Sequence, residues 1–217
     1  MQKVKVLLLA VMVVLLAGCA TSRSMIDIPA SAPQTAQTPV PSNGRTVYIH
    51  AVRDKRSFQE SPPSPDIPSL DPSEASSDDI RRRAVGRKRN TWGKALGDIL
   101  LKEGTTIESL TSSAIQRAFS EKGYMVLDAS DQVTPDTYVV DADITQFWTW
   151  MNPGFWALTI SSEISTDLTI KEASSTQKST VEVKSADHFQ TGMESNYIQV
   201  ITNALNLYVE ELKRKLK

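Results

Sequence analysis

The alternation of apolar and polar residues in the second half of the chain predicts a long β-hairpin. In residues 136–150, the apolar side consists of Tyr138, Val140, Ala142, Ile144 and Trp148. Asn152-Pro153-Gly154 has strong turn chemistry, and the period of two resumes over residues 156–170. We therefore expect an antiparallel hairpin with one buried face and one solvated face. The same period predicts shorter strands at residues 46–52, 124–127 and 179–189.

Two segments have the helical period instead. Residues 105–122 carry an apolar stripe made of Ile107, Leu110, Ala114, Ile115, Ala118 and Phe119. Thr105 and Glu108 fit a capping box, and Gly123 suits a left-handed C-terminal cap. Residues 194–217 carry a second stripe, formed by Tyr197, Ile201, Ala204, Leu205, Tyr208, Leu212 and Leu216. These elements predict an α+β fold, a two-layer sandwich of an antiparallel or mixed sheet with two amphipathic helices.

The second face of the predicted sheet is polar. Asp141 and Asp143 are two residues apart, so their carboxylates fall on the same face. Such a pair can perform general acid–base chemistry when a cleft perturbs one pKa. The neighbouring residues are those of a solvated face, which favours surface carboxylates without a catalytic role. This face is expected either to contact water or to pack on a partner.

The amino terminus predicts export and lipid attachment. Lys3 and Lys5 precede an apolar run over residues 6–16, which is the layout of a signal peptide. Leu16-Ala17-Gly18-Cys19 resembles the lipobox of bacterial lipoproteins, in which cleavage precedes the cysteine. We expect a signal peptide at residues 1–18 and N-acyl and S-diacylglycerol groups on Cys19. Cys19 is the only cysteine, so it can form no internal disulfide.

The segment that follows predicts a tether between the anchor and one folded domain. Residues 19–45 are rich in Ser, Thr, Ala, Gln and Pro, with few large apolar groups. We expect a flexible tether that holds a single α+β domain, residues 46–217, some tens of ångströms from the membrane. Ala20 follows the cysteine, and by resemblance to lipoprotein sorting rules this indicates the outer membrane, with the domain facing the periplasm.

A long insertion at residues 53–104 contains the strongest charge pattern. Its acidic, Pro-rich part is followed by a cationic stretch made of Arg81, Arg82, Arg83, Arg87, Lys88 and Arg89, with Trp92 beyond it. One interpretation is local pairing of the two charge blocks. The alternative is a surface that binds phosphate groups or an acidic partner, with Trp92 as an anchor. Nucleic acid is excluded by the predicted periplasmic location.

The predicted hairpin ends in an aromatic-rich turn, with Trp148, Trp150, Phe155 and Trp156 close together in sequence. These side chains either cap the end of the core or form a hydrophobic docking tip for a partner or for the membrane interface.

Composition removes several function classes. The formal net charge is −1, and loss of Lys3 and Lys5 brings the mature chain to about −3, so no strong global field is expected. Two histidines are too few for a histidine-based metal cluster. The sequence contains no nucleophile elbow, HExxH, phosphate-binding Walker loop or CxxC motif. We expect no enzyme activity, no cofactor and no metal.

Several of these features together resemble the YajG-type bacterial lipoproteins. They are the lipobox, the strand ending in Val52-Arg53-Asp54-Lys55-Arg56, the stretch Ala84-Val85-Gly86-Arg87-Lys88-Arg89-Asn90, and a helix followed by Gly123-Tyr124. The resemblance covers residues 46–217 and implies an outer-membrane lipoprotein without assigned enzyme activity. It brings no functional residues with it.

The leading functional hypothesis is a non-enzymatic, membrane-anchored accessory or scaffolding component of a cell-envelope protein complex. The alternative is a periplasmic module that binds lipid or glycan, such as lipopolysaccharide or peptidoglycan. In both hypotheses the protein is attached to the membrane through its lipid anchor. The sequence names no envelope partner and leaves formation of a homo-oligomer open.

Overall fold

The structure, a computed structural model, describes residues 23–29, 41–90, 92–173 and 175–216 of the 217-residue chain. The predicted signal peptide and Cys19 lie outside these described residues. No helix among them combines the length and the apolar character needed to cross a bilayer.

Eight strands of the described chain form one mixed sheet, and three helices accompany it. The strands are β1 Ser24–Ile26, β2 Thr46–Asp54, β3 Ala84–Arg89, β4 Ala95–Leu101, β5 Met125–Leu127, β6 Tyr138–Pro153, β7 Leu158–Glu172 and β8 Ser175–Phe189. The helices are α1 Asp78–Arg83, α2 Ile107–Glu121 and α3 Glu194–Lys215. The predicted α+β class is confirmed.

Strand β6 is the centre of the sheet. On one edge it pairs antiparallel with β7 along nearly its whole length, and β8 continues from β7. On the other edge, parallel β2 occupies the first half of β6, and parallel β3 joins further along, at Thr149. The sheet continues from β2 to β5, and from β3 through β4 to β1. Two strands therefore share one edge of β6, and a fork separates them.

Arg56 closes this fork. Its buried guanidinium donates to the carbonyl oxygens of Ala84 at 2.6 Å, Phe147 at 2.9 Å and Arg81 at 2.6 Å. It also forms a two-point ion pair with Asp54, at 3.0 and 2.9 Å. The strand edges that separate at the fork leave carbonyl groups without a ladder partner, and one arginine supplies the missing donors.

A β-bulge in β6 changes which side chains reach the helices. The register shifts between Ile144 and Gln146. Ile144 and Phe147 both belong to the main core, whereas Trp148 and Trp150 belong to a second cluster on the opposite face. The expectation that Trp148 shares the face of Ile144 is therefore wrong, because one extra residue inverts the alternation.

Helices α2 and α3 cover one face of the sheet. Every residue of the two predicted apolar stripes is buried, as the helical period requires. The capping box of α2 uses other residues than predicted. Thr106 accepts from the backbone N–H of Ser109, and the Ser109 hydroxyl accepts from the backbone N–H of Thr106. Glu108 instead accepts from Arg82 at 2.7 Å.

The predicted insertion is largely part of the fold. Strands β3 and β4 lie inside the sheet, and the Pro-rich segment covers its second face beside them. Leu70 packs there with Trp148 and Trp150, and Phe58 meets Trp148 edge-on at 6.0 Å. The indole N–H of Trp148 donates to the carbonyl oxygen of Pro65 at 3.1 Å. The polar face is therefore covered in this half of the sheet.

The start of the predicted tether is also folded. Strand β1 pairs with β4, and Ile26 and Ile28 are buried in the main core. The expectation of an unfolded segment over residues 19–45 is wrong at this place. Two isoleucines gain a buried site that becomes available only when β4 is in the sheet, which local composition does not show.

Candidate interaction surfaces

The cationic stretch does not form one exposed surface. Three of its members are buried and have internal partners. The Arg83 guanidinium donates to Asp79 at 2.7 Å and to the Leu101 carbonyl oxygen at 3.1 Å. Lys88 donates to the Ser24 hydroxyl at 2.7 Å.

Arg87, the third buried member, faces Asp98, with Nε 3.2 Å from a carboxylate oxygen. Asp98 is also buried, and Arg23 lies within 3.7 Å of it. Burial raises the pKa of the Asp98 carboxyl, and the charge of Arg87 only partly offsets this effect. A surface depression of about 400 Å³ opens beside this ion pair.

The remaining cations of the stretch contact the insertion and α2. Arg82 pairs with Glu108, the Arg81 guanidinium lies 5.0 Å from the ring centre of Phe58, and Arg89 donates to the Ser69 hydroxyl at 2.8 Å. Most cations at residues 81–89 therefore have internal partners, although the Arg82 side chain stays 53% exposed, and binding of an anionic partner there stays a prediction. Local pairing, the other interpretation of the pattern, fits the contacts that are present.

The predicted docking tip is divided in two. Trp148 and Trp150 are 0% and 4% exposed, so they belong to the fold and not to a tip. Phe155 and Trp156 are 90% and 83% exposed, with their rings in edge-to-face contact at 4.7 Å. Trp92 is also 90% exposed.

The exposed aromatic residues lie at one end of the sheet, which we call the aromatic end. Parallel pairing of Gly86 with Thr149 places the β3–β4 turn, with Trp92, level with the β6–β7 turn. A depression of about 220 Å³ is lined by residues from both sides, including Arg89 and Pro153. Exposed Met193, before α3, belongs to the same end, since Phe189 at the end of β8 pairs with Leu158 at the start of β7. We therefore define the aromatic end as Trp92, Phe155, Trp156 and Met193.

The exposed half of the polar face holds a network of ion pairs. One Asp141 oxygen lies 2.9 Å from His50 Nδ1 and 3.3 Å from an Arg53 nitrogen, and the other lies 3.6 Å from Lys171. Partial burial acts to raise the pKa of Asp141, but the hydrogen bonds and charges of His50 and Arg53 outweigh it and lower the pKa. A carboxylate held ionised in this way is unsuited to act as a general acid at neutral pH.

Strand β8 presents a long free edge. Among the described strands it pairs only with β7, through all of its 15 residues. Alternate side chains on its outer face are exposed, including Glu182 and Lys184. A surface depression of about 650 Å³ is lined by Val183 of β8 and by Leu207 and Arg214 of α3. The lining of this depression is mostly charged, with Val183 and Leu207 as its apolar residues. Unpaired N–H and C=O groups beside it are suited to bind an extended segment.

Sequence reasoning identified the exposed aromatic residues of the hairpin turn but not their neighbour Trp92, which it assigned to the cationic stretch. The link depends on the parallel register of β3 with β6, and nothing local in the sequence specifies that register. It also missed the free edge of β8, because strand order is not encoded in the hydrophobic period.

Comparison with known proteins brings no functional assignment. No protein-family model matches the sequence, and no curated protein matches it. Three solved structures are similar in part. An uncharacterised protein has TM-score 0.48 and 12% identity, over 90% of this chain and 99% of the other. A candidate neuraminyllactose-binding hemagglutinin homologue from Helicobacter pylori has TM-score 0.34 and 10% identity, over 82% and 89%. A hypothetical protein from Chlamydia trachomatis has TM-score 0.31 and 12% identity, over 52% and 84%. At these identities and TM-scores, the similarities support no functional assignment for this chain.

Proposed function

We propose that this protein is a non-enzymatic lipoprotein, anchored through acylated Cys19, that serves as an accessory or scaffolding component of a cell-envelope protein complex. The observation that carries this proposal is the free edge of β8. An edge of 15 residues offers backbone donors and acceptors to an extended segment of another protein.

The surroundings of the edge support a protein partner. Addition of a strand to β8 would bring partner side chains towards the depression that contains Val183 and Leu207. Val183 and Leu207 would contact apolar side chains of the partner, while the charged residues that line the same depression, Lys184 among them, would select charges on the partner strand. The resemblance to YajG-type lipoproteins agrees with a role of this kind.

The test is site-specific photo-crosslinking in cells, with a photoreactive amino acid in place of Glu182. Exposed Met125, on β5 at the other side of the sheet, provides the matched control position. We expect one abundant envelope protein to crosslink at position 182 and not at position 125. Equal crosslinking at both positions, or adducts with lipid alone at position 182, would contradict the proposal.

The alternative function is a lipid- or glycan-binding module, and the exposed aromatic end favours it. Large aromatic side chains that remain exposed commonly mark a binding surface. This alternative predicts that the purified protein binds lipid A or peptidoglycan fragments without a protein partner. Failure to bind either ligand at low salt would dismiss it.

A further inference from the structure

The aromatic end is almost uncharged. Its three turns, residues 90–94, 153–157 and 190–194, contain only two charged residues, Lys94 and Glu194, which have opposite signs. They expose two indoles, one phenyl ring and one thioether. Apolar and amphipathic rings without net charge suit the boundary between lipid headgroups and acyl chains, where tryptophan is enriched.

The path of the chain places the predicted anchor near this end. Strand β1 pairs parallel with β4, and Ser24 lies opposite Ile99. Strand β4 runs away from the β3–β4 turn that carries Trp92, so β1 runs away from that turn as well. The amino-terminal end of β1 therefore points towards the aromatic end. Arg23 lies beside Asp98, at 3.7 Å, so the described part of the chain begins at this level of the sheet.

The short segment between Cys19 and Arg23 excludes membrane contact at the end of the sheet opposite the aromatic end. Cys19 precedes Arg23 by four residues, which span at most about 14 Å when fully extended. Pairing through β3 places Thr149 of β6 at the same level of the sheet as the start of β1. Thr149 is four residues from Pro153, which is a distance of about 13 Å along β6. The other end of β6, at Tyr138, is about 36 Å from Thr149. Acyl chains on Cys19 can therefore reach the membrane only if the aromatic half of the sheet is close to it.

We propose that the aromatic end docks in the interfacial region of the same membrane leaflet that holds the acyl chains of Cys19. This inference rests on the proposed acylation of Cys19. Lipid chains and aromatic turns then form two attachments at one end, which fix the orientation of the domain. The sheet stands with its β6–β7 turn in the lipid headgroups and with Met125 away from the membrane. The domain lies against the bilayer, not tens of ångströms from it.

The four tryptophans provide the probe. Trp92 and Trp156 belong to the aromatic end, whereas Trp148 and Trp150 are buried in the fold. The full-length lipidated protein is reconstituted into vesicles of zwitterionic and anionic phospholipid, with or without bromine near the carboxyl ends of the acyl chains. We expect bromine to lower the emission by about half, the share of two tryptophans among four. Because the aromatic end lacks net charge, added salt should not reverse this effect.

Two variants make the experiment specific. Trp92→Phe with Trp156→Phe keeps the aromatic contacts with lipid but removes both indoles, so quenching by bromine should disappear. Met125→Trp in that background reports from the other end of the sheet. It should be quenched by aqueous iodide and not by bromine.

Iodide quenching of Trp92 and Trp156 in vesicles, without bromine quenching, overturns the inference. Protection of these residues from iodide by peptidoglycan fragments, but not by vesicles, also overturns it and assigns the end to glycan. The mass of the amino-terminal peptide separates the two proposals. An unacylated Cys19 overturns the anchored function together with this inference, whereas an acylated protein without bromine quenching overturns the inference alone.

Discussion

Replacement of Arg56 by methionine removes five hydrogen bonds from the fork in the sheet. The variant leaves the carbonyl oxygens of Ala84 and Phe147 without the arginine donor. Asp54 keeps only the backbone N–H of residue 56, and the Arg81 carbonyl keeps only the backbone N–H of Ala84. Loss of one partner of a buried ion pair costs about 3–5 kcal/mol. Each buried acceptor left without a donor adds about 1–3 kcal/mol where water cannot enter, although such costs are not additive. We expect a loss of about 4 kcal/mol in the free energy of unfolding.

Arg53→Met is the matched control, because Arg53 lies three residues away and its side chain is 43% exposed. It pairs with Asp141 and Asp143 at the surface, where an ion pair contributes about 0–1 kcal/mol. Urea unfolding, followed by the fluorescence of the buried tryptophans, measures both variants. With a slope of about 2–3 kcal/mol per M urea, Arg56→Met should lower the midpoint by roughly 1.3–2 M. Equal midpoints for the two variants would refute the assignment of Arg56 as the residue that closes the fork.

Two further changes test other parts of the fold. Gly86→Ala places a Cβ against the carbonyl oxygen of Thr149 where β3 meets β6, and should cost about 1–3 kcal/mol in urea unfolding; unchanged stability would mean that the two strands are not in close contact. Burial raises the pKa of Tyr197 to about 12, above the ordinary value near 10, so its contribution to stability is complete below pH 10 and is lost as the pH rises to 12. Tyr197→Phe should therefore reduce the loss of unfolding free energy over that interval by about 1.4 kcal/mol per pH unit, and an identical pH profile would show that the hydroxyl is accessible to water.

The hydrophobic period was sufficient for the elements whose faces are set locally. The stripes of α2 and α3 and the alternation of β7 agree with the structure because each repeats over several turns or pleats. Register shifts interrupt the predicted alternation in β2 and β6. The bulge after Ile144 has a signal in the sequence, since two polar residues, Thr145 and Gln146, are followed by two apolar ones and the period of two is broken. The prediction continued the period across this break. The capping box depends on which of two adjacent threonines is the N-cap of α2. It is Thr106, whose backbone N–H donates to the Ser109 hydroxyl.

Features set by distant partners were not predictable. Ile26 and Ile28 gain a buried site only beside β4, about 75 residues later in the chain. Arg87 and Lys88 have the composition of a solvated stretch, but in the fold the Asp98 carboxylate faces the charge of Arg87 and the Ser24 hydroxyl accepts a hydrogen bond from Lys88. Local composition describes a segment in isolation, whereas the burial of these residues depends on partners that only the tertiary structure brings close.

The shared edge of β6 also has a consequence for the order of folding. The pairing of β6 with β7 begins between Pro153 and Leu158, five residues apart, whereas β2 and β3 must close loops of about 91 and 63 residues to reach the same strand. The meander of β6, β7 and β8 is therefore expected to form first and to act as the template on which β2 and β3 are placed. Arg56 can be enclosed only when both have arrived, so the fork is the last part of the sheet to become protected from hydrogen exchange during refolding.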